Sequence, residues 1–385
     1  LHVALSLLTL DPGHMGGSET YVRGLLAAFA AGGGPERVTV LAGEQAARTL
    51  DAGDVVDVRP IAFALGHGAA GRAVGLARGL AFPPTAARVV VDGADAVHFP
   101  LTVPIPRSTA PAVVTLHDVR HLDVPDTFSA AERAYRRVAY DRAARRAARV
   151  VTVSEHARSR IGERLGIPVE RIAAVPHGID HERFTPAGDD GPLQGLPLPA
   201  EPFVLYPANL WPHKNHERLL AALAQAPSAP ALVLTGATYG RLDALLESAR
   251  RLGVGERVRH LGYVPAAALA PLYRRAAAVV FPSLYEGFGQ PPLEAMACGC
   301  PVAASDAGAV AEACGGAALS FDARDVTAIA AAITRVTGDE PLRDELREAG
   351  LERARGFTWA RAAARHAEVY ADAMRRGAGT RSART

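Results

Sequence analysis

Phe203-Val-Leu-Tyr-Pro-Ala-Asn-Leu-Trp-Pro-His-Lys-Asn-His-Glu-Arg-Leu-Leu220 passes from a short apolar run through a polar loop into the start of a helix. The run predicts a strand over Phe203–Tyr206 and the continuation a helix near Glu217–Gln225. Downstream the alternation repeats, with strands expected at Ala231–Leu234, Val258–Leu261, Ala278–Phe281 and Val302–Ala304 and helices at Leu242–Leu252, Ala268–Ala276 and Leu293–Ala297. Upstream it gives strands at His2–Leu8, Val38–Leu41, Ala96–Phe99, Ala112–Leu116, Val150–Val153 and Ile172–Val175, with helices at Ser18–Ala31, Ala130–Ala148 and His156–Leu165. Short apolar runs alternating with helix-length stretches are the pattern of α/β folds with mainly parallel sheets. Thr185–Ala200 is polar, rich in Gly and Pro and without periodicity, so it reads as an interdomain linker. The expected architecture is two Rossmann-like domains facing across a cleft: 1–185, a linker at 186–200, and 201–356. A long helix Phe357–Arg376 and a disordered tail at 377–385 follow.

Composition bounds the function. The 385 residues carry 42 Lys plus Arg against 40 Asp plus Glu, a net charge of +2, which argues against a coat for nucleic acid or an anionic membrane. With 49% hydrophobic residues the chain is not disordered, and its length suits two domains. Cys298, Cys300 and Cys314 lack metal-ligand spacing and fit a reducing cytoplasm better than a disulfide framework. No apolar run reaches the roughly 20 residues of a bilayer span, and Leu1–Leu10 reads as a buried strand rather than a signal peptide. Among the 42 basic residues Lys214 is the only lysine, and Asn209 and Asn215 are the only asparagines. All three fall in Asn209-Leu-Trp-Pro-His-Lys-Asn215. Where arginine fills every other basic position, a retained lysine points to a need for a compact ammonium on a flexible stem.

Four constellations carry chemistry. In Gly13-His-Met-Gly-Gly-Ser-Glu-Thr20, Gly16 and Gly17 allow close backbone approach to a phosphate, and Ser18 suits an N-cap; a plain turn fits the same residues. In Thr115-Leu-His-Asp118, His117 stands where open α/β sheets bind ligands and can hydrogen-bond a hydroxyl, while Asp118 can fix its tautomer or cap the next turn. Lys214, at the start of a helix, is placed to neutralise a pyrophosphate as a point charge. In Phe281-Pro-Ser-Leu-Tyr-Glu-Gly-Phe-Gly-Gln-Pro-Pro-Leu-Glu-Ala-Met-Ala297, Glu286 can accept hydrogen bonds from sugar hydroxyls, and the amides of Gly287, Phe288 and Gly289 can bind oxygens of the same ligand. Pro291 and Pro292 suit a first helical turn, and Glu294 lies one turn in.

These motifs, with Leu-Gly-Tyr-Val at 261–264, Val153-Ser-Glu-His156 and Val175-Pro-His-Gly-Ile-Asp180 in order, resemble the retaining nucleotide-sugar glycosyltransferases of family four, which have the GT-B fold. The resemblance implies that Glu286 binds donor-sugar hydroxyls, Glu294 the ribose and Lys214 the diphosphate. It implies that Gly16 and Gly17 lie beside the phosphates, that His117 contacts the sugar near its reacting face, and that main chain around Tyr263 and Val264 recognises the base. It also implies a C-terminal helix crossing back to the first domain and catalysis without a metal or other cofactor. Many relatives carry arginine five residues before the lysine; here that residue is Asn209, so either His213 or an arginine from elsewhere supplies a second cation or the leaving diphosphate is held less strongly.

The implied reaction moves a sugar from a GDP- or UDP-linked donor to an acceptor hydroxyl with retention, GDP-mannose being one candidate donor. A nucleotide-sugar epimerase, a phosphorylase or a non-catalytic binding subunit on the same fold are the alternatives. The acceptor, whether small molecule, saccharide or lipid-linked, is not legible, and neither is oligomeric state. Arg133, Arg136, Arg137, Arg142, Arg145, Arg146 and Arg149 make the stretch 133–149 basic; a solvated helix is the simpler reading and contact with an anionic lipid surface the sharper one.

Overall fold

The computed structural model describes residues 1–51, 53–63, 75, 77–79, 81, 82 and 84–382; much of the Gly/Ala-rich stretch between Pro60 and Pro84 lies outside the described residues. The chain forms two compact units. The first joins Leu1–Gly178 to the segment from Trp359 onward, and the second is Ile179–Thr358.

The first unit is built on strands β1 (His2–Leu7), β2 (Arg37–Gly43), β3 (Val56–Ile61), β4 (Ala96–Phe99), β5 (Ala112–Thr115), β6 (Arg149–Thr152) and β7 (Ile172–Ala174). They pair in parallel in the order β3-β2-β1-β4-β5-β6-β7. The central strands are continuous apolar runs because helices cover both faces of a parallel sheet. Strand β3 has no such run: Asp57, Arg59 and Pro60 interrupt it, and an edge position tolerates them.

Helices α1 (Gly17–Ala30), α3 (Arg142–Arg146) and α4 (Glu155–Leu165) pack on this sheet, and α2 (Ala130–Arg136), which buries no residue, leads into α3. The helix expected over Ala130–Ala148 runs in helical backbone from Ala130 to Arg146 and includes a π-helical turn at Arg137–Asp141, and Arg149 opens β6 and pairs with Asp372. Arg142, Arg145 and Arg146 are exposed on α3, but Arg149 does not share their face.

The C-terminal helix, Trp359–Ser382, belongs to this unit and continues through residues 377–382, where a disordered tail was expected. Trp359 packs so closely on α1 that a Cβ at Gly24 would stand 2.1 Å from its ring. A one-way chain of hydrogen bonds fixes the same helix to the sheet. His366 Nδ1 lies 2.7 Å from the Ala362 carbonyl and must donate, so its Nε2 accepts from Tyr21 OH at 2.8 Å. The Tyr21 oxygen then accepts from Thr115 Oγ1 at 3.0 Å, Thr115 from His98 Nε2 at 2.8 Å, and His98 Nδ1 from Tyr370 OH at 2.8 Å. Each ring keeps one proton, so both histidines are neutral; burial holds His98 well below the usual histidine range and pushes His366 down to about 4.

The second unit carries β8 (Phe203–Pro207), β9 (Ala231–Thr235), β10 (Val258–His260), β11 (Ala276–Phe281), β12 (Val302–Ser305) and β13 (Leu319–Phe321), parallel in the order β10-β9-β8-β11-β12-β13. Its helices are α5 (His216–Gln225), α6 (Leu242–Arg251), α7 (Ala266–Arg275), α8 (Gln290–Ala297), α9 (Gly308–Cys314), α10 (Val326–Gly338) and α11 (Glu340–Arg355). Ala276 begins β11 rather than ending α7. The stretch expected as an interdomain linker packs as part of this unit: Arg274 Nη2 donates to the Asp189 carbonyl at 2.8 Å and to Asp190 at 3.0 Å, and Leu193 is buried.

Two outcomes follow from the buried chain in the first unit. Thr115→Val leaves the His98 N–H without its acceptor, and urea unfolding is expected to show a loss of roughly 1–3 kcal/mol; an unchanged midpoint contradicts the hydrogen-bond assignment. Because burial depresses both histidines, their contribution is present above the ordinary histidine value of 6.5 and is lost as pH falls below it, through about 4 for His366, which acid titration of stability reads directly.

Candidate active site

Both sheets have the doubly wound order in which the first and fourth strands are neighbours, and ligands of such sheets bind beyond the carboxyl ends of those two strands. In the second unit the loops at that point follow β8 and β11. They are the loops that carry Lys214 and Glu286.

Lys214 ends a short 3₁₀ turn, Pro212–Lys214, whose last amides bond back to Trp211 and Pro212. Its carbonyl accepts from Tyr206 OH at 2.7 Å, and its ammonium stands 2.5 Å from Glu286 Oε1 and 5.6 Å from the Phe281 ring centre. Lys214 and Glu286 keep 16% and 15% of their side-chain surface, so the pair is shielded yet open to a ligand. Tyr206 titrates well above the usual tyrosine range, first because it is buried and then because of the Glu286 charge.

Asn215 follows in the left-handed region at φ 64°, a conformation asparagine tolerates better than most residues. Its buried Nδ2 donates to the Pro282 carbonyl at 3.0 Å and the Ala323 carbonyl at 2.7 Å. His213 is buried, and its carbonyl accepts the Leu284 amide at 2.8 Å. Burial and the Lys214 charge push neighbouring His216 down to about 3, so it is neutral and adds no second cation.

Asn209 uses Oδ1 to accept the Ala237 amide at 2.8 Å. Gly236 allows that contact: a Cβ there would lie 2.8 Å from the Ala208 carbonyl group. The same sheet edge holds an aromatic pair absent from the sequence expectations, Trp211 and Tyr239 with ring centres 4.3 Å apart. Tyr263, in the loop after β10, is 76% exposed, and Val264 is buried.

Glu286 leads into Gly287, Phe288 and Gly289. Phe288 is buried and meets Phe357 edge-on at 5.8 Å, anchoring the loop, and Gly289 takes φ 125° to start α8 with Pro291 and Pro292 in its first turn. Glu294 lies inside α8, where Tyr273 OH donates to its Oε2 at 3.0 Å. Burial raises its carboxyl to about 7, against the opposing pull of Tyr273 and Arg183.

In the first unit the helix begins at Gly17 with Gly16 as its cap at φ 53°, so Ser18 lies inside the helix and is not the N-cap. Among the described residues, no side chain caps this end. Glu19 turns back to accept the Gly13 amide at 2.7 Å, closing the loop. His117 meets Tyr21 and His177 edge-on at 5.2 and 5.7 Å; its Nε2 is buried without a hydrogen-bond partner, and burial pushes it down to about 4. Asp118 accepts the Arg120 amide at 2.9 Å, so it caps the next turn.

Among the described residues, no group of three or more His, Cys, Asp or Glu could hold a metal ion, and no helix is long and apolar enough to cross a membrane.

Residues 15–183 match the sequence profile described as Glycosyltransferase Family 4, and residues 195–353 match that described as Glycosyl transferases group 1. The chain is similar to the O-antigen chain mannosyltransferase B of Escherichia coli, with 33% identity over 261 residues, 66% of this chain and 68% of that protein. It is also similar to a D-inositol 3-phosphate glycosyltransferase of Nocardia farcinica, with 35% identity over 240 residues, 58% of this chain and 52% of that relative's length. A sucrose-phosphate synthase structure from Thermosynechococcus elongatus matches with a TM-score of 0.76 over 96% of this chain and 98% of that chain at 24% identity, which shows the GT-B fold. With two profiles falling on its two units and a relative matched over two thirds of its length, the chain belongs to glycosyltransferase family four.

Proposed function

We propose that this glycosyltransferase moves a sugar from a nucleoside diphosphate to an acceptor hydroxyl with retention at the anomeric carbon. The observation that carries the proposal is the Lys214–Glu286 pair, a lone ammonium and a carboxylate in the two loops at the switch point of the second sheet. The ammonium suits the diphosphate and the carboxylate the sugar hydroxyls, with the Gly287–Gly289 amides beside them. Glu294 is assigned to the ribose, the main chain at Tyr263 and Val264 to the base, and the Asn209 amide nitrogen to a neutral contact with the diphosphate. In the first unit, neutral His117 suits a hydrogen bond to a sugar hydroxyl, and the amides at Gly16 and Gly17 suit a phosphate oxygen. The name of the Escherichia coli relative supports a mannosyl donor.

In the reaction the bond from the anomeric carbon to the phosphate oxygen breaks and a bond to the acceptor oxygen forms on the same face. The acceptor proton passes to the departing phosphate oxygen. Negative charge grows on the diphosphate, so a fixed cation there lowers the barrier more than it tightens the ground state.

A donor screen by thermal shift, followed by NMR of the product anomer, tests this reading; inversion, or turnover without an acceptor, overturns it. Lys214→Ala is expected to lower kcat/KM by roughly 10²–10³-fold, the scale for losing one transition-state donor. Lys214→Arg keeps the charge and is still expected to impair turnover, because a planar fork replaces a compact ammonium. Wild-type kinetics in both variants would remove the diphosphate role.

Glu294 gives a separate test on stability. Its folded carboxyl is raised to about 7 from the ordinary glutamate value of 4.5, so its contribution is fully present below pH 4.5 and is lost as pH rises through 7. Relative to Glu294→Gln, the wild type is expected to lose on the order of 3 kcal/mol across that window. Taking the difference between the two proteins cancels the opposing histidine trend.

A further inference from the structure

The amino-terminal edge of the second sheet holds a cavity of about 380 Å³, where β11 begins at Ala276 and β12 follows Pro301. The six residues of β11 separate this edge from the Lys214 loop by roughly 17 Å. Four arginines line the cavity, Arg274, Arg275, Arg343 and Arg347, and no carboxylate does. Burial raises the Cys298 and Cys300 thiols to about 12, so they add no negative charge.

Two of the four guanidiniums are engaged. Arg274 bonds Asp190 and the Asp189 carbonyl, and Arg347 pairs with Asp344 and donates to the Gly299 carbonyl. Arg275 is exposed and, among the described residues, makes no ion pair. Arg343 is half-buried; its Nε is buried without an acceptor, and among the described residues it too has no ion pair. Its lack of a partner is not a matter of reach. Arg250, Arg347 and Arg355 each pair with an acid three residues before them, and Arg343 has Glu340 at that spacing without pairing to it.

Helix electrostatics account for only part of the cluster. Arg274 and Arg275 sit in the last turn of α7, where cations offset the helix dipole. Arg343 sits near the start of α11, where the dipole disfavours a cation. A dianionic ligand removes both costs, since guanidinium forks match phosphate oxygens; no carboxylate lines this cavity, and Glu201 and Glu256 line the neighbouring one, which Arg343 also borders without pairing to either.

We propose that this cavity binds a phosphate monoester or inorganic phosphate, at a site separate from the donor site. Arg275 and Arg343 supply the free donors, and Arg274 and Arg347 supply the surrounding positive field.

The test uses the full chain carrying Lys214→Ala, so that the donor-site cation does not contribute. Inorganic phosphate is expected to raise its Tm at millimolar concentration. Adding Arg275→Glu, an exposed change that leaves the core intact, or Arg343→Ala is expected to weaken the apparent affinity at least tenfold. Phosphatidylcholine vesicles with and without phosphatidic acid separate the two sources of the phosphate. Sedimentation with phosphatidic acid that Arg275→Glu abolishes assigns a lipid headgroup, and a phosphate response without sedimentation assigns a soluble ligand. No Tm response in the Lys214→Ala protein, or a response that survives both arginine substitutions, overturns the proposal.

Discussion

One side-chain amide organises the second unit of this glycosyltransferase. Asn215 Nδ2 reaches the Pro282 carbonyl beyond β11 and the Ala323 carbonyl beyond β13, while its own backbone follows the loop after β8. Two carbonyls that burial would strand are satisfied by one residue, and the loops at the ends of three strands acquire a fixed spacing. Lys214 is the preceding residue, and its short ion pair with Glu286 depends on that spacing. The Tyr206 hydroxyl and the contact between the His213 carbonyl and the Leu284 amide brace the same loop, leaving the ammonium as its adjustable part.

The first unit meets a similar requirement with neutral groups. A chain from Tyr370 through His98, Thr115, Tyr21 and His366 to the Ala362 carbonyl satisfies each buried polar atom along it without a formal charge. A buried network of this kind specifies one arrangement because every member has one role left to play. It sets where the C-terminal helix sits on the first sheet, beside the ring of Trp359 against Gly24.

Much of this was legible in the sequence where the signal was local. Apolar runs located the central strands of both sheets, and the scarcity of lysine and asparagine singled out the loop after β8. The ion pair itself was not legible, because Lys214 and Glu286 meet only through the adjacency of β8 and β11, a property of strand order. Asn209 and Asn215 were noticed for their rarity, but their work is to hold backbone groups, for which the signals are asparagine's tolerance of left-handed backbone and a glycine at 236. Edge strand β3 and three-residue β13 were missed because edges need no apolar run. Helices α9 and α10 lie in an Ala-rich region where small side chains blur the period. The packing of the linker over 186–200 was not legible because its anchors, Arg274 above all, are distant in sequence.

The placement of the C-terminal helix bears on how the chain is made. The first unit draws on both sides of a 180-residue insertion, residues 179–358, which forms a compact unit itself. On a ribosome adding about 5–20 residues per second, the first sheet emerges roughly 10–40 s before the helix that completes it. During that interval the groups bonded to the last helix, His98 and Tyr21 among them, lack those partners and the apolar surface under Tyr370 is uncovered. The inserted unit can close first, so the protein is finished in the reverse of the order in which its sheets are written.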